Sequence, residues 1–324
     1  MTRSRVPLLA ALVAITSSAA LAQDYPTRPV TIIVPYAAGG AADVGARLFG
    51  QKLSDRLGKG VIIENRGGGG TSIGAAAAAK AAPDGYTVFM GGSASLAVNV
   101  TLQKKLPYDP EKDFVPLALV VGIPFVLVVN PSLPVKSVAD LVALAKEKPG
   151  RLAFATSGPG SPAHLQTELL KSMTGIDITL VPYKGSPPAV ADFLGGQIQA
   201  MFVEFPASLE LIKDGKMRPL GVSTRARVPA ASDIPPLAEA GLPGFDAGGW
   251  LMFVAPVNTP KEIAAKLHAE LKSIGALPDV QRQISGMGLI PIDTPAVDDL
   301  QLYVKSEIER WGKVIRAAGI AGSE

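Results

Sequence analysis

The 324-residue chain contains no cysteine and only two histidines. Lack of cysteine removes disulfides, thiolate metal sites, a cysteine nucleophile and a lipid-modified N-terminal cysteine, so the core alone must hold the fold. His164 and His268 stand far apart in sequence, with no thiolate to complete a metal site. Aromatic residues are few, at 6%, and do not interleave with a basic cluster, which argues against a surface that stacks nucleobases. Of the formal net charge of +3, Arg3 and Arg5 at the extreme N-terminus supply two, and the near-neutral remainder offers no footprint for nucleic acid. Nucleotide motifs are missing as well. Gly68, Gly70 and Gly74 miss the G-x-G-x-x-G spacing by one residue, and no loop ends in G-K-[ST]. The G-x-S-x-G elbow of hydrolases is also absent.

What the chain does have begins with a targeting pattern. Arg3 and Arg5 precede an apolar stretch over residues 8–15 and the small-residue site Ala20-Leu21-Ala22, predicting a cleaved signal peptide over residues 1–22 and export of the mature protein. No later run is long and apolar enough to span a bilayer. The mature length of about 300 residues suits two domains.

Residues 30–34 are a β-branched run, residues 35–47 read PYAAGGAADVGAR, and Val44, Leu48, Phe49, Leu53 and Leu57 then recur at helical spacing. This reads as strand, glycine turn, helix. Gly39 and Gly40 can leave bare N–H groups at the positive end of a helix, which is a place for an anion; the plainer reading is a βα turn in which glycine only makes the corner. Residues 61–82 and 86–103 repeat the pattern, the latter with the small polar turn Gly91-Gly92-Ser93-Ala94-Ser95. Three βα units in succession predict a parallel sheet with its loops gathered at the carboxyl ends of the strands, where ligands sit in open α/β sheets.

The apolar residues 117–129, broken by Gly122 and Pro124, read as a strand crossing into a second sheet. A second βα series follows, with Ser137 as N-cap, strands near residues 152–155, 178–182 and 198–202, and a return crossing over residues 217–222. The division is thus residues 23–121 and 222–324 in one unit and residues 122–221 in the other. Thr259-Pro260-Lys261-Glu262 has the form of a capping box, and Thr294-Pro295 repeats the Thr-Pro start. Leu300, Val304, Ile308, Trp311 and Ile315 then make a core stripe. His268 reads as a flank residue of its helix. His164 opens a helix after the loop Ser157-Gly158-Pro159-Gly160-Ser161, where it could meet a ligand oxygen or fix the loop; pairing with Ser161 for hydrolysis is the enzymatic version, without an elbow or a third orienting residue. Asp43 and Arg47 lie four apart and can pair on one helix face, with Asp43 holding the N–H groups of its own loop. Lys184 is the one cation on a site edge, with Tyr183 beside it as the safer contact.

An ordered set of motifs carries a resemblance. Pro35-Tyr36-Ala37-Ala38-Gly39-Gly40 with Asp43 and Arg47, Glu64-Asn65-Arg66, Pro83-Asp84-Gly85-Tyr86, and Tyr108-Asp109-Pro110 with Asp113-Phe114 come first. Gly160-Ser161 with His164-Leu165, Val181-Pro182-Tyr183-Lys184-Gly185, Glu239-Ala240-Gly241 and Trp250 follow. Together they resemble the Bug family, the extracytoplasmic solute-binding receptors of tripartite tricarboxylate transporters, over essentially the whole mature chain.

The resemblance implies an α/β fold of the type II periplasmic binding protein kind: two lobes, two crossing strands and a ligand cleft between them. It implies no enzymatic step and no cofactor. The ligand would be a small carboxylate (dicarboxylate, tricarboxylate, amino acid or aromatic acid) held by backbone N–H groups, small side chains and ordered water. The partners would be the two integral membrane subunits of the transporter, and the receptor a monomer. Contacts carried over by position are Tyr36, Ala37, Ala38 and Gly39, then Gly92, Ser93 and Ala94, then Ser157, Gly160, Ser161 and His164 with Tyr183. One departure stands out: relatives often have an acid directly after Met-Phe, whereas Met201-Phe202 is followed here by Val203 and then Glu204. Glu204 is therefore a candidate for the far wall of the pocket. A periplasmic carboxylate sensor docking on a signalling receptor is the alternative reading, and a secreted serine hydrolase a third.

Overall fold

The computed structural model describes residues 25–158 and 160–324. The signal-peptide reading of residues 1–22 falls outside them. Lobe 1 starts with β1 (Val30–Val34), α1 (Ala41–Leu57), β2 (Val61–Asn65), α2 (Ser72–Ala79), β3 (Thr87–Gly92) and the short α3 (Asn99–Leu102), and β4 (Phe114–Ile123) then leads out of it. Lobe 2 follows as β5 (Phe125–Val129), α4 (Val138–Glu147), β6 (Ala153–Thr156), α5 (Pro162–Thr174), β7 (Thr179–Pro182), α6 (Ser186–Leu194), β8 (Ala200–Glu204), α7 (Phe205–Lys213) and β9 (Arg218–Val222). The chain returns to lobe 1 with β10 (Gly249–Pro256), α8 (Lys261–Gly275), α9 (Pro278–Gly286), β11 (Ile290–Pro291) and α10 (Val297–Ala317).

The two sheets share one logic. Lobe 1 orders its strands β11-β4-β10-β3-β1-β2 and lobe 2 orders them β7-β6-β8-β5-β9. In each, three strands run parallel, β2-β1-β3 and β7-β6-β8. A fourth strand, β10 or β5, lies antiparallel beside the third. The carboxyl ends of β1, β3, β6 and β8 all point to the cleft. Both faces of each sheet are covered, as the unbroken burial of β5 requires. One core, around Ile32, Phe49, Phe253 and Leu271, lies on a single face of the lobe 1 sheet. Another, around Val126, Phe193 and Met201, belongs to lobe 2. The largest runs without interruption through both lobes, from Phe89 and Trp311 to Leu165 and Phe202.

The two crossings are tied to each other. The Phe125 N–H donates to the Ser223 hydroxyl at 3.0 Å, and the Ser223 N–H donates to the Phe125 carbonyl at 2.8 Å. Of residues 217–222, expected to be the return crossing itself, residues 218–222 are instead the edge strand β9, paired antiparallel with β5, and the crossing begins at Ser223. Two further expectations change. Val44 is 39% exposed, because α1 buries its Ala42, Ala46, Phe49 and Leu53 face against the sheet. Thr259 forms no capping box, since its hydroxyl donates to the Pro256 carbonyl at 2.7 Å and Pro260 becomes the residue before α8. Between the two Thr-Pro starts the structure adds the nine-residue α9, whose buried residues are only Val280 and Ile284, too few to stand out as a period. The Ser137 cap forms as the sequence predicts, accepting from the Asp140 N–H at 3.1 Å.

Phe253 is fully buried in the middle of the lobe 1 sheet, 5.5 Å from the Phe49 ring. Phe253→Ala should lower stability by about 3–5 kcal/mol. Urea unfolding checks this: the midpoint should fall with the slope unchanged, whereas a loss under about 1 kcal/mol would mean that this core is not close-packed.

Candidate functional site

A cavity of about 400 Å³ opens between the lobes. From lobe 1 it is lined by Tyr36, the Gly40-Ala41-Ala42 start of α1, Gly70-Thr71, Ser93-Ala94, Asn99, Leu102 and residues 249–251. Lobe 2 contributes Gly160, Ser161, Pro162 and Glu204, and the crossing supplies Ile123 and Phe125. Among the described residues, the lining includes no Lys, Arg or His. No group of three or more acidic or histidine side chains among them is placed to hold a metal ion, and no helix is long and apolar enough to cross a membrane.

The start of α1 is open. Gly40 precedes the helix with no side-chain cap, so the first-turn N–H groups, which no helical carbonyl can reach, face the cavity at the positive end of the helix. The loop leading to it is tightly held. Gly39, at φ +85°, donates its N–H to Asp43 Oδ2 at 2.8 Å, so this N–H, expected bare, is already taken. Arg47 Nε donates to the same oxygen at 3.0 Å. Asn65 donates to the Tyr36 carbonyl at 3.1 Å and brings β2 into the network. The Arg47 hydrogen bond, assisted by the Gly39 N–H, keeps the Asp43 carboxyl below its ordinary value despite burial. Tyr36 is closed in, and loss of hydration together with the nearby Glu204 charge pushes its phenol up to about 12. It is therefore a neutral hydrogen-bond donor at any physiological pH.

The start of α5 is the opposite case. Ser161 caps it by accepting from the His164 N–H at 3.3 Å, the Ser161 N–H donates to the Gly158 carbonyl at 3.2 Å, and the Gly160 N–H donates to His164 Nδ1 at 3.0 Å. Burial lowers the His164 pKa, so the ring stays neutral and its Nδ1 stays an acceptor. His164 thus fixes the loop from behind rather than lining the cavity, and among the described residues no hydrogen bond joins its ring to the Ser161 hydroxyl. What lobe 2 offers a ligand here is that hydroxyl. Gly160 also packs closely against lobe 1: a Cβ at this position would lie 2.2 Å from the Leu102 side chain.

Of the remaining sequence candidates, Tyr36, Ser93, Ala94, Gly160, Ser161 and Glu204 come together around the cavity. Ala37 and Ala38 are exposed on the outer side of their loop. Gly39 borders an adjoining part of the cleft with Ala41 and Glu204. The Gly92 N–H is consumed by Ser95 Oγ at 3.1 Å, a consequence of β3 running on through Gly92 where a turn was expected. Ser157, His164 and Tyr183 do not line the cavity, and the Tyr183 hydroxyl meets Asp192 at 2.7 Å. Lys184 is exposed. His268 is half-buried on the flank of α8, 2.7 Å from the Leu117 carbonyl. Sequence reading passed over the Asn99 amide, which holds the Gly70 carbonyl at 2.8 Å and so shapes the wall opposite α1. It also passed over residues 249–251 as a floor; only the glycine run before Thr71 hinted at either.

Residues 46–320 match the profile described as the tripartite tricarboxylate transporter family receptor. Protein BugT of Bordetella pertussis is 40% identical over 300 residues, covering 92% of this chain and 91% of BugT. Among solved structures, R. palustris Rpa4515 with adipate is 40% identical with a TM-score of 0.79, over 92% of this chain and 99% of that one. MatC from Rhodopseudomonas palustris with bound malate is 33% identical with a TM-score of 0.74, over 90% of this chain and 100% of that one.

The Asp43 network predicts a pH signature. A carboxylate whose folded pKa lies below its unfolded value of 3.8 stabilises the protein above that value and ceases to do so as pH falls through the folded value. Asp43→Ala should cost about 2 kcal/mol near neutrality. Thermal melts of both proteins across pH should show the gap closing only below 3.8; a gap that is unchanged at pH 2.5 would refute this account of Asp43.

Proposed function

Because the chain belongs to the tripartite tricarboxylate transporter receptor family, with a Bug protein among its relatives, we propose that it captures a small carboxylated solute between its lobes and delivers it to the integral membrane subunits of such a transporter. On this reading it works as a monomer in the periplasm, after loss of residues 1–22, and needs no cofactor.

The observation that carries the proposal is the uncapped start of α1 opening into a cavity whose described lining has no cationic side chain. A carboxylate there is met by backbone N–H groups of the first turn, with the Tyr36 and Ser93 hydroxyls as further donors, and Ser161 reaches it from lobe 2. Neutral donors and bridging water recognise the charge without a desolvated ion pair that would slow release. The adipate-bound and malate-bound neighbours support a carboxylate as the ligand class. Contacts from both lobes give a ligand more partners in the closed arrangement than in an open one, which is the differential affinity a capture device needs.

A thermal-shift screen tests this. Dicarboxylates, tricarboxylates, amino acids and aromatic acids are each added in millimolar excess, with neutral sugars as controls. At about 100 times its dissociation constant a ligand stabilises by about 2.7 kcal/mol, an easily read rise in Tm. A sugar that shifts the melt where no carboxylate does would sink the proposal. In Gly39→Val the left-handed backbone at φ +85° is strained and the turn before α1 shifts. Binding of whichever carboxylate scores in the screen should weaken at least tenfold, with the circular dichroism spectrum unchanged; equal affinity would count against α1 as the anion site.

A further inference from the structure

Glu204 faces, from lobe 2, the same cleft into which the start of α1 opens. This residue ends β8 and precedes α7, pairing in register with Phe125 of the crossing strand. It borders the main cavity together with Tyr36 and Ala41, and the adjoining part of the cleft together with Gly39 and Ala41, so it shares its space with the proposed anion site. The Glu204 side chain is exposed to the solvent of the cleft, and Ile123 and Phe125 of the crossing border the same cavity. No described residue pairs or hydrogen-bonds with its carboxyl group. The described lining has no Lys, Arg or His to compensate it, and its other carboxyl-bearing residue is Glu324. Partial loss of hydration in the cleft raises its carboxyl above the ordinary glutamate value.

Building on the carboxylate reading, we propose that Glu204 is a specificity-determining residue that selects solutes bearing an ammonium or primary amide opposite their carboxylate and rejects plain dicarboxylates. A second carboxylate brought beside Glu204 would place two like charges in a cleft whose described lining has no cation to separate them. An ammonium or amide instead donates to Glu204 and supplies the missing partner, with the ammonium making the stronger, charge-assisted bond. A methyl group at that position leaves the carboxylate unpaired. The site then reads as two complementary ends: neutral donors at α1 for the solute anion, and one acceptor at β8 for a donor.

Calorimetric titration of the wild type and Glu204→Gln with a matched series decides it. The probes are straight-chain monocarboxylates of three to six carbons whose far end is methyl, carboxylate, amide or ammonium. The wild type should prefer an ammonium or amide end over a carboxylate end of equal length by at least tenfold. Glu204→Gln should lose the ammonium preference and gain at least tenfold for the dicarboxylate, while its thermal melt without ligand stays within a few degrees of the wild type. Dicarboxylates that bind the wild type as tightly as their amino counterparts, with a ratio unmoved in Glu204→Gln, overturn the Glu204 proposal and leave the carboxylate reading standing. Failure of every probe alongside binding of a neutral sugar overturns the carboxylate reading, and this proposal with it.

Discussion

A helix begins with N–H groups that its own carbonyls cannot reach, and the fate of those groups organises this molecule. At α4 a serine takes one, and at α5 Ser161 and His164 between them close the loop that leads in. At α1 nothing does: Asp43 is turned backward to the Gly39 N–H, which precedes the helix, and is held there by Arg47. The acid that could have capped α1 is thereby spent on stiffening its approach. The strand order does the rest, since it sets the carboxyl ends of β1, β3, β6 and β8 around one cleft.

The electrostatics of that cleft are sparse. On the carboxylate reading a solute anion would meet donors that carry no formal charge, and the fixed charges in the described lining are acidic. Attraction thus comes from oriented dipoles, which act at short range and demand a good fit, whereas a lysine would attract any anion from a distance. Such a site trades speed of capture for discrimination. Tyr36 fits the same scheme, because its raised pKa keeps the phenol protonated beside Glu204.

The elements were legible where burial is local. The β-branched run of β1, the serine before α4 and the apolar stripe of α10 each report their own surroundings, and the sequence period follows directly. The crossing was legible for a related reason, since Gly122 and Pro124 interrupt an otherwise unbroken apolar run. The cavity was only partly so, because its walls come from distant segments. Asn99 reads as an ordinary helix residue until its amide is found on the Gly70 carbonyl. His164 could meet a ligand or hold a loop, and only the direction of its ring decides between them. Thr259 misled for the opposite reason: the motif was intact, but a competing carbonyl at Pro256 claimed its hydroxyl.

The paired hydrogen bonds between Phe125 and Ser223 have a mechanical meaning. Two separate linkers would let the lobes swivel, slide and bend independently. Joined edge to edge they form a two-ply strap, stiff against shear and torsion in its own plane and compliant only across it. The uninterrupted core from Phe89 to Phe202 lies beside that strap as a bearing surface. The strap and the core beside it together restrict the ways in which the lobes can move against each other.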